Sequence, residues 1–276
     1  MAHLIRNYLN NCKAVLRTYN NQLKKPENLK RKDLLEKEFY DDEAEKYLND
    51  FDESMFLFDE NEEFPDSHNY FYSQLEEIEG MRILDCGCGH GCTSVKLAKR
   101  GAEVFGIDIS PKMIELSQKN ADLNSVRDIA SFKVMSAQDM EFEDNTFDIA
   151  VGMGALHHLN LNTFGRELRR VLKPGGRALF VEPRIPFKFL ILLRSIIPVT
   201  CFESPGGSQL TDREIREFSK FFSHTDIKYY IFLRKIAHFT VWKRYKERLD
   251  VLDRKIAGKY PFLRKFYWSW VLQFTL

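Results

Sequence analysis

From position 82 a short apolar run, Arg82-Ile83-Leu84, leads into Asp85-Cys86-Gly87-Cys88-Gly89-His90-Gly91. Three glycines at alternate positions, between a strand-like run and a helix-like one, constrain this chain more than any other feature. Glycine lets a backbone turn tightly and lets a ligand come close to it. A strand, a glycine turn and a helix in that order begin a βαβ unit of a parallel sheet. A G-x-G-x-G turn alone is shared with dinucleotide-binding folds. Here the last glycine stands two residues after the second, not the three of the dinucleotide spacing. Asp85 precedes the first glycine by two positions, where a carboxylate can engage a cationic amino group.

The alternation continues. A helix is predicted near 93–100, a second strand at 103–107 and a helix opened by Ser110-Pro111. There the hydroxyl caps free amides and proline suits the first turn. Strands follow at 131–135 and 147–152, a helix at 163–172, then Lys173-Pro174-Gly175-Gly176 and a fifth strand at 177–181. This order predicts a parallel sheet covered on both faces. Thr211 and Glu214 form a capping box that opens a helix with Ile215, Phe218 and Phe221 on one face. Residues 226–233 read as a strand. At the end of the chain Trp268, Trp270, Leu272, Phe274 and Leu276 alternate with Ser269, Val271, Gln273 and Thr275, the period of a last strand. Residues 235–258 between those two strands read as helical.

With 276 residues the chain can hold one large α/β core plus insertions. The net charge of +1 lacks the basic balance of a nucleic-acid binder. Of the five cysteines, Cys86, Cys88 and Cys92 crowd into seven residues, a poor disulfide framework that, with Cys12 and Cys201, implies free thiols in a reducing compartment. Cys86, Cys88, His90 and Cys92 fit no ordinary zinc spacing, so no metal site is expected. Residues 1–26 carry apolar positions at helical spacing and no acidic residue. Five Asn and no Ser favour a helix packed on the domain over a targeting helix. No apolar run reaches membrane-spanning length.

Asp108 ends the second strand about twenty residues after the glycine loop, where a carboxylate can accept hydrogen bonds from ribose hydroxyls. Ile109 beside it can pack on an adenine face. Ser136-Ala137-Gln138-Asp139 follows the third strand. Gly152-Met153-Gly154-Ala155-Leu156-His157-His158-Leu159 closes the fourth. In the order and spacing of these elements, residues 80–183 resemble the class I S-adenosylmethionine-dependent methyltransferases. The likeness is to the small-molecule group that includes the ubiquinone and menaquinone biosynthesis methyltransferases.

The resemblance implies a Rossmann-like α/β fold, a seven-stranded, mostly parallel sheet of order 3-2-1-4-5-7-6. It also implies S-adenosylmethionine as cofactor. Asp85, Gly87 and Gly89 then surround its methionine part, and Asp108 and Ile109 its ribose and adenine. Ala137 and Gln138 meet the adenine edge, and Gly152 and Met153 lie beneath the sulfonium. Ser136 stands where many relatives have Asp, which leaves the carboxylate contact to the adenine amino group open, with Asp139 as the nearby acid that could supply it. No Asn/Asp-Pro-Pro-aromatic motif follows the fourth strand, which argues against DNA adenine or glutamine methylation. His157 and His158 sit where a transferable methyl meets its acceptor, and an imidazole titrates near neutrality. Glu182, at the end of the fifth strand, is the other candidate catalytic group.

Residues 1–66 are expected to be a charged helical extension, with Tyr40 and Tyr47 as a lid, and 67–276 the catalytic domain. Apolar cap insertions are expected at about 185–210 and 235–265. Within them Phe187, Phe189, Leu190, Ile191, Leu192 and Leu193 surround two cations, a composition suited to a small apolar or lipid-like acceptor reached from a membrane surface. The expected location is cytoplasmic, peripheral to a membrane. Two other functions fit the same residues: protein or RNA methylation, suggested by basic residues in 24–37, and a cofactor-binding scaffold without catalysis.

Overall fold

The computed structural model describes residues 29–59, 66–183, 210–230, 252, 259–260 and 269–276. The expectations for residues 1–26, for the helical stretch 235–258 and for the two cap insertions fall outside these residues, bar single positions, as do Cys12 and Cys201.

Seven strands form one sheet in the order β3-β2-β1-β4-β5-β7-β6. They are β1 (Arg82–Cys86), β2 (Glu103–Asp108), β3 (Ala130–Val134), β4 (Phe147–Met153), β5 (Leu172–Pro183), β6 (His224–Tyr230) and β7 (Ser269–Thr275). The first five pair in parallel, whereas β7 runs antiparallel to both β5 and β6. The expected fold class and strand order are the observed ones.

β1 shows why the centre reads as an unbroken apolar run. Leu84 and Cys86 point into one core cluster, and Ile83, on the alternate phase, points into the other. A strand covered on both faces is apolar at nearly every position, and the buried Asp85 is the exception in β1. Neighbouring β4 divides likewise: Phe147 and Ala150 belong to the first cluster, Ile149 and Val151 to the second. At the last strand Trp270, Leu272 and Phe274 enter the first cluster and Val271 the second.

Six helices are described: α1 (Leu29–Asn49), α2 (Asp66–Ser73), α3 (Cys92–Lys99), α4 (Pro111–Leu123), α5 (Leu161–Val171) and α6 (Asp212–Ser219). Ser110 caps α4 by accepting a hydrogen bond from the Met113 amide at 3.0 Å, with Pro111 in the first turn. The capping box of α6 is present on Thr211 and Glu214.

Among the boundaries that differ from expectation, two are set by strand pairing. β5 begins at Leu172 rather than 177, because Leu172 already pairs with Phe147 and a register shift then absorbs the Lys173–Gly176 turn. Gly175, at φ +77°, takes the left-handed conformation that shift needs. β6 begins at His224, two residues early, because β7 offers it Thr275 as a partner there.

Candidate functional site

In an open parallel sheet, ligands bind beyond the carboxyl ends of the strands, where the strand order reverses. That point here lies between β1 and β4, and the expected site residues converge on it. Gly87 (φ +69°), Gly89 (φ +52°) and Gly91 (φ +80°) all turn left-handed. They differ in what surrounds them. A Cβ on Gly91 would lie 2.7 Å from Ser117 Cβ, so helix packing demands glycine there. A Cβ on Gly89 would meet nothing within 4 Å, so that face of the loop is open to a ligand.

Asp85 is the penultimate residue of β1 and is 1% exposed. The Ser94 hydroxyl on α3 donates to its Oδ2 at 2.7 Å. Burial pushes the Asp85 carboxyl up to about 6; the Ser94 hydrogen bond opposes that and nearby Asp108 adds to it. Asp108, at the end of β2, accepts the Gly89 amide on Oδ2 at 3.0 Å and the Ser110 amide on Oδ1 at 2.9 Å. Burial raises its carboxyl too, partly offset by those amides. Each carboxylate oxygen has two lone pairs, so Asp108 retains acceptor capacity for a ligand hydroxyl. His90, in the same loop, has a buried Nδ1 with no hydrogen-bond partner among the described residues. A buried and a half-buried carboxylate and an orphaned imidazole nitrogen around an open glycine face suit a cationic ligand bearing hydroxyl and carboxylate groups.

Beyond β3, Ala137 is buried in the first core cluster. Gln138 is committed to protein: its Nε2 donates to Asp33 Oδ1 at 3.2 Å, and its Oε1 accepts the Asn160 amide at 2.8 Å. In β4, a Cβ on Gly152 would lie 2.9 Å from the Phe180 ring, so packing against β5 requires that glycine. Met153 follows, partly buried against the second cluster.

The turn after β4, Leu156–His158, brings all three candidate catalytic residues together. Glu182 is fully buried, and both its oxygens are engaged: Oε1 accepts the Leu156 amide at 2.7 Å, and Oε2 lies 2.8 Å from His157 Nδ1. The ring centroids of His157 and His158 are 3.9 Å apart. His158 Nε2 lies 3.0 Å from the Tyr40 hydroxyl, and its Nδ1 lies 3.1 Å from Glu36 Oε2. Burial holds the His158 imidazole below its ordinary range.

Those last partners come from α1, which crosses the carboxyl ends of successive strands. Asp33 meets Gln138 after β3, and Glu36 and Tyr40 meet His158 after β4. Asp41 accepts the Ser110 hydroxyl at 2.6 Å after β2, and Tyr47 packs edge-on to His90 at 6.3 Å after β1. Asp33, Glu36, Tyr40 and Tyr47, spaced by three, four and seven residues, form one helix face, and Asp41 flanks it. The face is polar, so a search for apolar periodicity passes over it. Asp33, Glu36 and Asp41, with Ser94 of α3, are the site residues that sequence reasoning missed. The signal for Asp33 and Glu36 was acidic residues at helical spacing in phase with Tyr40 and Tyr47.

Among the described residues no group of three or more His, Cys, Asp or Glu could hold a metal ion. Cys86, Cys88 and Cys92 are free thiols. Burial pushes Cys86 and Cys88 well above the ordinary thiol range. No helix among the described residues is long and apolar enough to cross a membrane.

Residues 84–180 match a family model described as a methyltransferase domain. The chain is similar to the sterol 4-C-methyltransferase strm-1 of Caenorhabditis elegans, 34% identical over 40% of this chain and 33% of that protein. It is also similar to a demethylmenaquinone methyltransferase of Symbiobacterium thermophilum, 29% identical over 55% of this chain and 65% of that one. The matched stretches thus span between a third and two thirds of these relatives. Among solved structures, geranyl diphosphate C-methyltransferase from Streptomyces coelicolor superposes with a TM-score of 0.53 at 15% identity, covering 76% of this chain and 79% of that one. That likeness is one of fold.

Proposed function

We propose that this chain, which carries a methyltransferase domain over residues 84–180, transfers a methyl group from S-adenosylmethionine to a small apolar or lipid-like acceptor. The observation that carries the reading is a buried carboxylate, Asp85, and a half-buried one, Asp108, flanking a glycine loop whose Gly89 face is open. When bound, S-adenosylmethionine supplies an electrophilic methyl group and leaves as S-adenosylhomocysteine.

Asp85, Gly87 and Gly89 would hold its aminoacyl end, and the partly desolvated Asp85 carboxylate suits an ammonium group. Asp108 would bind the ribose hydroxyls and Ile109 the adenine face. Ala137 would line the adenine edge. Gln138 would reach that edge through its backbone, since its side chain bridges α1 and the turn before α5. Gly152 and Met153 would lie beneath the sulfonium. Much of the rate comes from holding acceptor and methyl in line. His157 and His158 stand at the acceptor side, and Glu182 fixes their turn to β5.

The apolar character of the acceptor is supported by the composition of residues 187–197 and by the names of the matched relatives, a sterol and a quinone methyltransferase. The same apolar and cationic composition supports peripheral contact with a membrane surface, and residues 1–66 act in this reading as a lid-bearing extension. Sedimentation with anionic liposomes tests the membrane contact; absence of co-sedimentation removes it.

Calorimetric titration with S-adenosylmethionine and S-adenosylhomocysteine tests the cofactor. Micromolar binding is expected. No binding to the intact protein sinks the reading.

A further inference from the structure

α1 does more than cover the site. Its Tyr40 hydroxyl, the His158 imidazole and the Glu36 carboxylate stand in series, at 3.0 Å and 3.1 Å. A hydroxyl, an imidazole and a carboxylate in that order are the parts of a base relay, recognised by geometry and not by sequence position. The array spans two distant segments, the α1 lid and the turn after β4. Glu36 is 2% exposed, and a carboxylate that deep is costly unless it serves a partner. His157, whose ring lies tilted at 43° against that of His158, is fixed by Glu182, so the second histidine is braced from both sides.

We propose that Glu36, His158 and Tyr40 form a proton relay that takes the proton from an acceptor hydroxyl, which makes the substrates apolar phenols or alcohols and the product a methyl ether. This rests on the methyltransferase reading above. The acceptor O–H gives its proton to the Tyr40 oxygen as Tyr40 passes its own to His158 Nε2. The electron pair freed on the acceptor oxygen forms the new C–O bond, and the pair of the broken C–S bond stays on sulfur. His158 becomes imidazolium beside Glu36 and later releases its proton to water. Before the step, His158 must be neutral with its proton on Nδ1, facing Glu36, and its Nε2 lone pair facing Tyr40. The charged and titratable groups facing it among the described residues are Glu36 and Tyr40 from α1, His157 from its own turn and Glu182 from β5. Of these, Glu36 and Glu182 favour its protonated form, and His157 opposes it. Glu36 is a positioning residue in this scheme, since it acts through His158.

The test uses the full chain with ¹⁵N-labelled histidine, with and without S-adenosylhomocysteine, and the variants E36Q and Y40F. Nitrogen spectra are expected to show His158 as the Nδ1-protonated tautomer. E36Q should lower its pKa and mix the tautomers, and Y40F should shift Nε2 alone. A His158 resonance unmoved in both folded variants overturns the relay. A second arm follows methyl transfer to matched apolar phenols and secondary amines. Ether formation that falls about 100-fold or more in kcat in Y40F, with KM held within about threefold, supports the relay. Transfer to the amines alone, or to neither, by protein that binds S-adenosylhomocysteine overturns the hydroxyl assignment. Failure to bind S-adenosylhomocysteine is a different result and counts against the methyltransferase reading itself.

Discussion

The Gly89 amide donates to Asp108 Oδ2 at 3.0 Å, tying the loop after β1 to the end of β2 across nineteen positions. One carboxylate therefore shapes the glycine loop and faces the space that the loop encloses. Asp108→Ala should weaken S-adenosylhomocysteine binding about 10- to 100-fold, the range for losing a hydrogen bond to a charged group. Asp108→Asn, which keeps one acceptor oxygen, should lose less. Calorimetry on both variants, with circular dichroism to confirm the fold, checks the order. Equal affinity in wild type and Asp108→Ala would remove the ribose assignment.

Asp85 makes stability and binding respond to pH in opposite directions. Its folded carboxyl titrates near 6, above the ordinary value of 3.8, because burial penalises the charge. The folded state therefore holds the proton more tightly than the unfolded chain does. Stability from this group is full below about pH 4 and is lost as pH rises through about 6. Asp85→Asn should therefore stabilise the apo protein at pH 7.5 by on the order of 2 kcal/mol, and by almost nothing near pH 4. Cofactor affinity should show the reverse trend, falling as pH drops through about 6 and the carboxylate is lost. Urea melts and titrations across this range read both effects; a gain in Asp85→Asn that is flat with pH contradicts the assignment.

The Ser110 hydroxyl serves two elements at once. It accepts the Met113 amide at 3.0 Å and donates to Asp41 of α1 at 2.6 Å. Ser110→Ala removes the cap of α4 and one tie of the lid. A loss of about 1–2 kcal/mol is expected in denaturant unfolding, together with faster amide exchange in α1. Unchanged exchange in α1 would show that Asp41 does not depend on this contact.

Gly152 tests whether packing, and not the ligand, requires a glycine. A Cβ there meets the Phe180 ring at 2.9 Å and the Cys86 carbonyl at 3.1 Å. Gly152→Ala should cost about 1–3 kcal/mol from overpacking. The double change Gly152→Ala, Phe180→Leu should recover part of it. Absence of any recovery would indicate that the backbone contact, not the ring, sets the limit.

The sequence alone determined the sheet and the glycine loop. β1 and β4 are buried on both faces and read as nearly continuous apolar runs, β7 alternates toward its two clusters, and glycine turns and caps mark the breaks between elements. These signals are local, written within five to ten residues, and they fixed where Asp85, Asp108, His157, His158 and Glu182 stand along the chain. Tertiary structure alone decided which groups meet. Glu36 and Tyr40 lie more than a hundred positions from His158, and Asp33 lies 105 from Gln138. The face of α1 that makes these contacts is polar and has no apolar period to betray its burial. Pairing across such distances depends on where the lid helix settles on the sheet edge. That placement is set by many weak contacts summed over the whole fold, and no local pattern of residues encodes it.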